Sequence, residues 1–289
     1  DFKELQKLEI PASLEAIESE CFSIAFKLKE INVSPKNKRF QYLNNELLVY
    51  KSRPNLKEFD TVLFCRNDIE EVSIPSSIRF IKEDSLYNFT TKHVHIQKDS
   101  QLEVVEKNGF PCHIEEIFIP KNLKIIGPDV FEKLHDVDKI EVSPKNQTFS
   151  LIDNKYLLKK NYITKKFDEL VFSRCTDIKF MIPKCVKKIA NSAINNQKLE
   201  ILDFPEDSEL ETIENIKLYS VKKFTVPQSL KSINCAVFIF DEKLNEIIVS
   251  PKNKTYKFVE NKFLLKRNVV HNIFSKLVLC IRTVTEAKI

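Results

Sequence analysis

The chain has 289 residues, of which 43% are apolar and 30% charged, enough apolar material for a packed core and too much for a disordered segment. No apolar run is long enough to cross a bilayer as a helix, and the first residues lack the pattern of a signal peptide. The 46 Lys and Arg against 41 Asp and Glu leave a net +5 that is dispersed, unlike the basic face of a nucleic-acid binder.

The elements recur in chain order. A short apolar-x-x-apolar-x-apolar pattern, usually followed by Pro, opens with Leu5, Leu8, Ile10, Pro11 and continues with Leu28, Ile31, Val33. It returns at Ile69, Val72, Ile74; at a degenerate Thr91, Val94, Ile96; at Ile114, Ile117, Ile119; and at Val137, Ile140, Val142. Four more copies follow at Asp177, Phe180, Ile182; Leu199, Leu202, Phe204; Val221, Phe224, Val226; and Leu244, Ile247, Val249. Alternating apolar residues mark short strands with one inward face, and proline ends each because it has no N–H for a ladder. The period of 22–23 residues is the mark of stacked coils, none of which can bury its apolar face alone.

A longer period overlies the short one. Val33-Ser-Pro-Lys-Asn37 recurs as Val142-Ser-Pro-Lys-Asn146 and Val249-Ser-Pro-Lys-Asn253. Each of these repeats carries about 18 extra residues that read as a β-hairpin insert, with turns at Asn44-Asn45, Asp153-Asn154 and Glu260-Asn261. One long repeat and three short ones make a superunit, placing superunits near 28–136 and 137–243 with incomplete repeats at both ends. The loop Lys98-Asp-Ser-Gln-Leu102 is answered by Glu206-Asp-Ser-Glu-Leu210 in the equivalent short repeat. A second apolar set should return along the opposite wall: Leu14, Ile17, Phe22; Ile78, Ile81, Phe89; Leu123, Ile126, Phe131; Leu230, Ile233, Phe238. Single helical turns such as Asp129–Leu134 are expected in that wall. The expectation is one α/β repeat solenoid over 1–289, built on one parallel β-ladder of about ten strands with a few helical turns. Val284–Ile289 occupies the strand position of an eleventh repeat without a polar cap, so the array is expected to be part of a longer one.

Units such as Leu5-Gln-Lys-Leu-Glu-Ile-Pro-Ala-Ser-Leu-Glu-Ala-Ile and Val221-Lys-Lys-Phe-Thr-Val-Pro-Gln-Ser-Leu-Lys-Ser-Ile resemble BspA-like leucine-rich repeats. The Val-Ser-Pro-Lys-Asn units with their inserts resemble the expanded protozoan branch of that family. The resemblance covers essentially the whole chain, although glycine is scarce (only Gly109 and Gly127) and the usual cysteine after the Phe is missing from most copies. It implies cell-surface proteins that adhere to host proteins or other cells, and it brings no catalytic residues.

The residues themselves point to binding rather than chemistry. No nucleophile elbow, phosphate loop or zinc-protease motif occurs, so no catalytic, cofactor or metal site is expected. His93 and His95 share a strand face but lack converging ligands. Cys112 and His113 are neighbours on opposite faces and form no dyad. The seven cysteines include no C-x-x-C pair, which favours reduced, buried thiols. Three sequons, at Asn88, Asn146 and Asn253, barely favour secretion in so Asn-rich a chain. Lys159, Lys160, Lys165 and Lys166 read as a solvated loop. The outward row of the strands is mostly polar, with Phe118, Met181 and Ile248 as exceptions. His95, Phe118, Glu141 and Met181, consecutive in that row, are the candidate protein-binding residues. Two readings follow: a cell-surface adhesion or recognition module, or an intracellular structural or assembly scaffold within a large complex or the cytoskeleton. Both have protein partners, no nucleic acid and no membrane span.

Overall fold

The computed structural model describes residues 2–132, 134, 137–196, 198–216, 218–234 and 243–281. Phe238 and the segment 284–289 named above lie outside them, as does Cys235, one of the seven cysteines. The chain divides into two compact units, Asp1–Asn154 and Lys155–Ile289.

In the first unit the repeat pattern forms a front wall of strands. Lys7–Ile10 pairs in parallel with Glu30–Val33, and Glu71–Ile74, His93–Ile96, Glu116–Ile119 and Lys139–Val142 form a four-stranded parallel sheet. Alternation along each strand puts Ile10, Ile31, Val72, Ile74, Ile117, Ile119 and Ile140 in the core. The opposite, return wall is a parallel ladder of two-residue strands, Phe80–Ile81, Val104–Val105 and Ile125–Ile126.

The first insert joins this return wall. Phe40–Leu43 and Leu47–Tyr50 pair antiparallel, Leu47–Tyr50 pairs antiparallel with Thr61–Cys65, and Thr61–Cys65 pairs in parallel with Phe80–Ile81. A long coil therefore supplies three strands to the return wall and one to the front. The two surplus strands widen one side by about 10 Å, so its front strand cannot keep ladder spacing with the next. This explains why Glu30–Val33 is not paired with Glu71–Ile74 and why the single front ladder expected from the sequence is a pair plus a four-stranded sheet.

The second unit repeats the plan. Its front wall is Lys179–Met181, Ile201–Asp203, Lys223–Val226 and Glu246–Val249, all parallel. Its return wall runs from Tyr156–Lys160, antiparallel to Phe167–Ser173, on to Lys188–Ile189, Thr212–Ile213 and Ser232–Ile233 in parallel. The third insert is an antiparallel meander of Tyr256–Val259, Phe263–Asn268 and Ile273–Cys280. All three insert turns have two consecutive residues at positive φ (Asn44 and Asn45, Asp153 and Asn154, Glu260 and Asn261), as tight hairpins require.

The asparagine of each Val-Ser-Pro-Lys-Asn string is a buried clamp. Asn37 Nδ2 donates to the carbonyls of Pro11 and Leu14 at 2.7 and 3.1 Å, and its Oδ1 accepts from the N–H groups of Arg39 and Phe40 at 2.8 and 2.9 Å. Asn146 repeats this with Pro120, Leu123, Thr148 and Phe149, and Asn253 with Pro227, Leu230, Thr255 and Tyr256. One amide thus ties its coil to the preceding one and closes the turn after its own strand. Asn88, buried in a short repeat, accepts from the N–H groups of Thr90 and Thr91. All three sequon asparagines are therefore structural.

Two expectations are corrected here. The described residues contain no α-helix, only 3-10 turns at Phe2–Glu4 and Ser19–Phe22, so the fold is a β-solenoid repeat rather than α/β. A short coil that spends residues on two walls has no room for a helix long enough to hold itself. At the expected helical turn, Asp129 sits at φ 61° and only turn bonds follow, such as Glu132 N–H to the Asp129 carbonyl at 3.1 Å. Phe89 is 61% exposed rather than inward, because Asn88 takes the buried position beside it and Leu86 fills the core. Glycine matters at Gly127, where a Cβ would come within 2.8 Å of backbone atoms of Glu106 and Lys107 in the preceding coil.

Candidate functional site

Three of the four expected binding residues lie together in the first unit. His95, Phe118 and Glu141 line a shallow groove of about 330 Å³ on the front wall, with His93, Glu116 and Lys139. The groove opens because the ladder parts. His93–Ile96 and Glu116–Ile119 are in register only at Glu116 and His93, whereas the flanking pairs run in register over four residues.

The cause lies in the chain after the strand. From Ile96 to Leu102 is two residues longer than the equivalent span from Ile74 to Ile78 or from Ile119 to Leu123. The longer turn is anchored by the buried Ser100, whose N–H donates to the Gln97 carbonyl and whose Oγ accepts from Leu102 N–H. The second unit has the same turn at Phe204–Leu210 with buried Ser208, and its neighbouring strands pair only at Ile201–Lys223 and Leu202–Phe224. The two-residue surplus could have been counted from the sequence, and the repeated Asp-Ser loop was the signal for it.

Phe118 is half-buried in the groove wall and sits in register with exposed Glu141. His95 is exposed, stacks on His93 with ring centres 6.4 Å apart, and approaches Glu71 at 3.3 Å. His93 lies 3.9 Å from Glu115, and Lys139 bridges Glu141 at 2.9 Å and Glu116 at 3.7 Å. The groove is thus a half-buried ring edged by acids, two imidazoles and Lys139, suited to polar contacts around one apolar anchor. Met181 belongs to the front wall of the second unit. It is 42% exposed, in register with Asp203, and its carbonyl accepts from the Tyr156 hydroxyl at 2.7 Å. Of the row of four expected from the sequence, His95, Phe118 and Glu141 line this groove, with the step from His95 to Phe118 opened by the parted strands, and Met181 belongs to the second unit.

The long repeats hold two further grooves that the sequence reading missed. One of about 600 Å³ lies beside Asn32, Ser34 and Tyr42, and one of about 590 Å³ beside Ile248, Ser250 and Phe258. The first sits where the wider return wall keeps the next front strand from closing on Glu30–Val33.

Nothing in this arrangement activates a nucleophile. Burial pushes the Cys65 thiol up to about 12 and that of Cys175 to about 11, and burial also raises Cys185. Cys21, Cys65, Cys112, Cys175, Cys185 and Cys280 are all thiols, and no cluster of three metal-ligating side chains occurs among the described residues.

The sequence matches a family model described as "BspA type Leucine rich repeat region", in six copies, over residues 1–60, 57–165 and 157–268. The chain belongs to the BspA-type leucine-rich-repeat family. Among solved structures, this BspA-type chain is similar to the pneumococcal vaccine antigen PcpA, with a TM-score of 0.54, 18% identity, and 86% of this chain and 63% of that one covered. It is also similar to a leucine-rich cell surface protein from Faecalibacterium prausnitzii A2-165 (TM-score 0.50, 16% identity, 85% and 79% covered). A leucine-rich repeat protein from Eubacterium ventriosum gives a TM-score of 0.50 at 14% identity, with 86% and 68% covered. The BspA-type chain thus spans less than two thirds of PcpA as solved, and at these identities the likeness is one of fold. No curated protein matches the sequence.

Proposed function

We propose that the chain is a non-catalytic protein-binding module that acts in adhesion or recognition at a cell surface. The front-wall groove of the first unit carries this reading: Phe118 is the apolar anchor, and His95 and Glu141 are the polar contacts that orient a partner. Met181 adds an exposed apolar contact on the front wall of the second unit. Membership of the BspA-type family supports the reading, as do relatives in fold that are described as a vaccine antigen and a cell-surface protein. The test is saturable binding of the purified chain to intact cells. Phe118→Ser and Glu141→Lys should each weaken it by about tenfold or more, the loss expected for an interface hot spot. Unchanged binding by both variants would overturn the reading.

A second reading, an intracellular structural or assembly scaffold, is favoured by two observations. The described cysteines are thiols, and the sequon asparagines are buried in hydrogen-bonded clamps that a glycan would break. Surface biotinylation of intact cells that make the full-length protein separates the two readings, since only a displayed chain is labelled.

A further inference from the structure

The outer turns of the second and third inserts share a construction that the front wall does not explain. In the second, Asn161 Oδ1 accepts from the N–H groups of Ile163 and Thr164 at 2.9 and 3.2 Å, and Lys165 closes the turn at φ 59°. In the third, Asn268 Oδ1 accepts from Val270 and His271 at 2.9 and 3.3 Å, and Asn272 closes it at φ 54°. The same capped turn therefore holds out two neighbouring apolar side chains in each insert. Tyr162 and Ile163 are 66% and 92% exposed, and Val269 and Val270 are 92% and 85% exposed. Each insert is anchored by a cation over a ring at its neck, Lys160 over Phe167 and Arg267 over Phe274. A stiff, capped turn that keeps apolar side chains in water is a costly surface unless something covers it.

The charges around the tips say what covers them. Residues 155–167 contain Lys155, Lys159, Lys160, Lys165 and Lys166 and no acid. Of the neighbouring acids, buried Asp168 accepts from the Thr164 hydroxyl at 3.1 Å, Glu169 pairs with Lys188 and Asp177 pairs with Lys155, so Lys159, Lys160, Lys165 and Lys166 are the excess at the tip. Residues 261–281 contain Lys262, Lys266, Arg267 and Lys276 and no acid. The rest of the surface mixes both signs, as the many Lys–Glu pairs along both walls show. An apolar tip among cations in excess of anions is complementary to a surface that is anionic outside and apolar just beneath. A membrane with acidic headgroups has that profile, and tyrosine is suited to its boundary.

We propose that the tips Tyr162–Ile163 and Val269–Val270 seat on an anionic lipid surface, the apolar pairs entering the headgroup boundary and the lysines meeting the phosphates. Equivalent places in the superunit, one at each long repeat, give the second unit two such feet. This docking uses a different surface from the front-wall groove and goes beyond protein recognition.

The chain has no tryptophan, so Tyr162→Trp introduces a single depth-sensitive fluorophore. The full chain would be mixed with vesicles of about three parts phosphatidylcholine to one of phosphatidylserine in about 0.1 M salt, and with phosphatidylcholine alone. The expected result is a blue-shifted emission from the introduced tryptophan and sedimentation with the mixed vesicles only. Ile163→Glu with Val270→Glu, and separately Lys165→Glu with Lys166→Glu, should each lower partition by about tenfold or more. Phe118→Ser should leave it unchanged, which separates this proposal from the groove reading. Absence of partition onto mixed vesicles, equal partition onto neutral ones, or tip variants that bind like the parent chain would overturn it and leave a protein as the cover of the tips.

Discussion

Between Lys51 and Phe59 the first insert makes a long turn through Pro54. Ser52 is tied to Asp60 at 2.7 Å through its N–H and at 2.6 Å through its hydroxyl, Leu56 and Phe59 are half-buried, and the segment carries an exposed acid, Glu58. Between Arg267 and Phe274 the third insert is one residue shorter, capped by Asn268, acid-free, and tipped by two exposed valines. The necks are alike, with a cation over a phenylalanine ring in all three inserts, and so are the asparagine clamps beneath them. The repeats agree where hydrogen bonds and packing leave one solution and diverge where the chain meets solvent. The divergent part is where a copy can acquire a role its siblings lack.

The largest effect should come from breaking what the long repeats share. Asn146→Ala removes four hydrogen bonds, taking the side-chain partner from the Leu123 carbonyl, the buried Phe149 N–H and the part-buried Thr148 N–H, while the Pro120 carbonyl keeps the Leu123 N–H. A loss of about 3 kcal/mol or more is expected in urea unfolding, with similar losses for Asn37→Ala and Asn253→Ala. A loss below about 1 kcal/mol at all three would mean that water replaces the clamp, contrary to its burial.

A smaller effect tests where the buried parts themselves differ. Tyr256 stands where the other long repeats have Phe40 and Phe149, and its hydroxyl accepts from the buried Ile233 N–H at 3.0 Å. Tyr256→Phe orphans that N–H and should cost about 1–2 kcal/mol in urea unfolding. The same removal has no counterpart at Phe40, so the clamp of the first long repeat is held without it.

The return walls give a third, pH-dependent comparison. In the first unit Glu103 links Arg79 at 2.7 Å and Lys124 at 3.3 Å, and in the second Lys188 links Glu169 at 3.0 Å and Glu214 at 2.7 Å. Burial alone would raise the Glu103 carboxyl, but the hydrogen bonds and charges of Arg79 and Lys124 outweigh it and hold the group below the usual carboxylate range. A folded-state pKa below the unfolded one means stability present above the unfolded value and lost as pH falls through the folded one. Glu103→Gln should therefore lower stability by somewhat under about 1 kcal/mol at neutral pH, with the difference from the parent shrinking below about pH 4. A difference that persists at low pH would assign the loss to packing.

Much of this fold was legible because a strict apolar period reports which side chains face the core. All ten front-wall strands fall on the predicted positions, and the clamp asparagines stood out as an identical string. The lateral spacing of coils was not legible from that period, since it depends on how many strands the opposite wall receives from each coil. The single ladder was wrong for that reason. Phe89 was misplaced because an apolar residue beside a capping asparagine yields the inward position to it. The outward register of His95, Phe118 and Glu141 was legible from the alternation of their strands. The groove they share came from a turn two residues longer, a difference of length that a hydrophobic pattern does not record.

The smallest effect belongs to the tips. Val270 and Ile163 are almost fully exposed, so replacing them removes little buried area. The turn geometry is set by Asn161 with Lys165 and by Asn268 with Asn272, none of which depends on the apolar side chains. Ile163→Ser with Val270→Ser should therefore shift stability by less than about 0.5 kcal/mol in urea unfolding, the ordinary range for surface changes. Asn268→Ala should cost more, about 1 kcal/mol, because it unties the turn while leaving both valines in place. If the serine pair proved as costly as the asparagine change, the valines would be packing groups of the folded chain, and the contrast between shared necks and divergent tips would fail at that point. If only the asparagine change is costly, the fold maintains a turn whose apolar cargo it does not itself use, which is the condition for that cargo to serve a surface outside the chain.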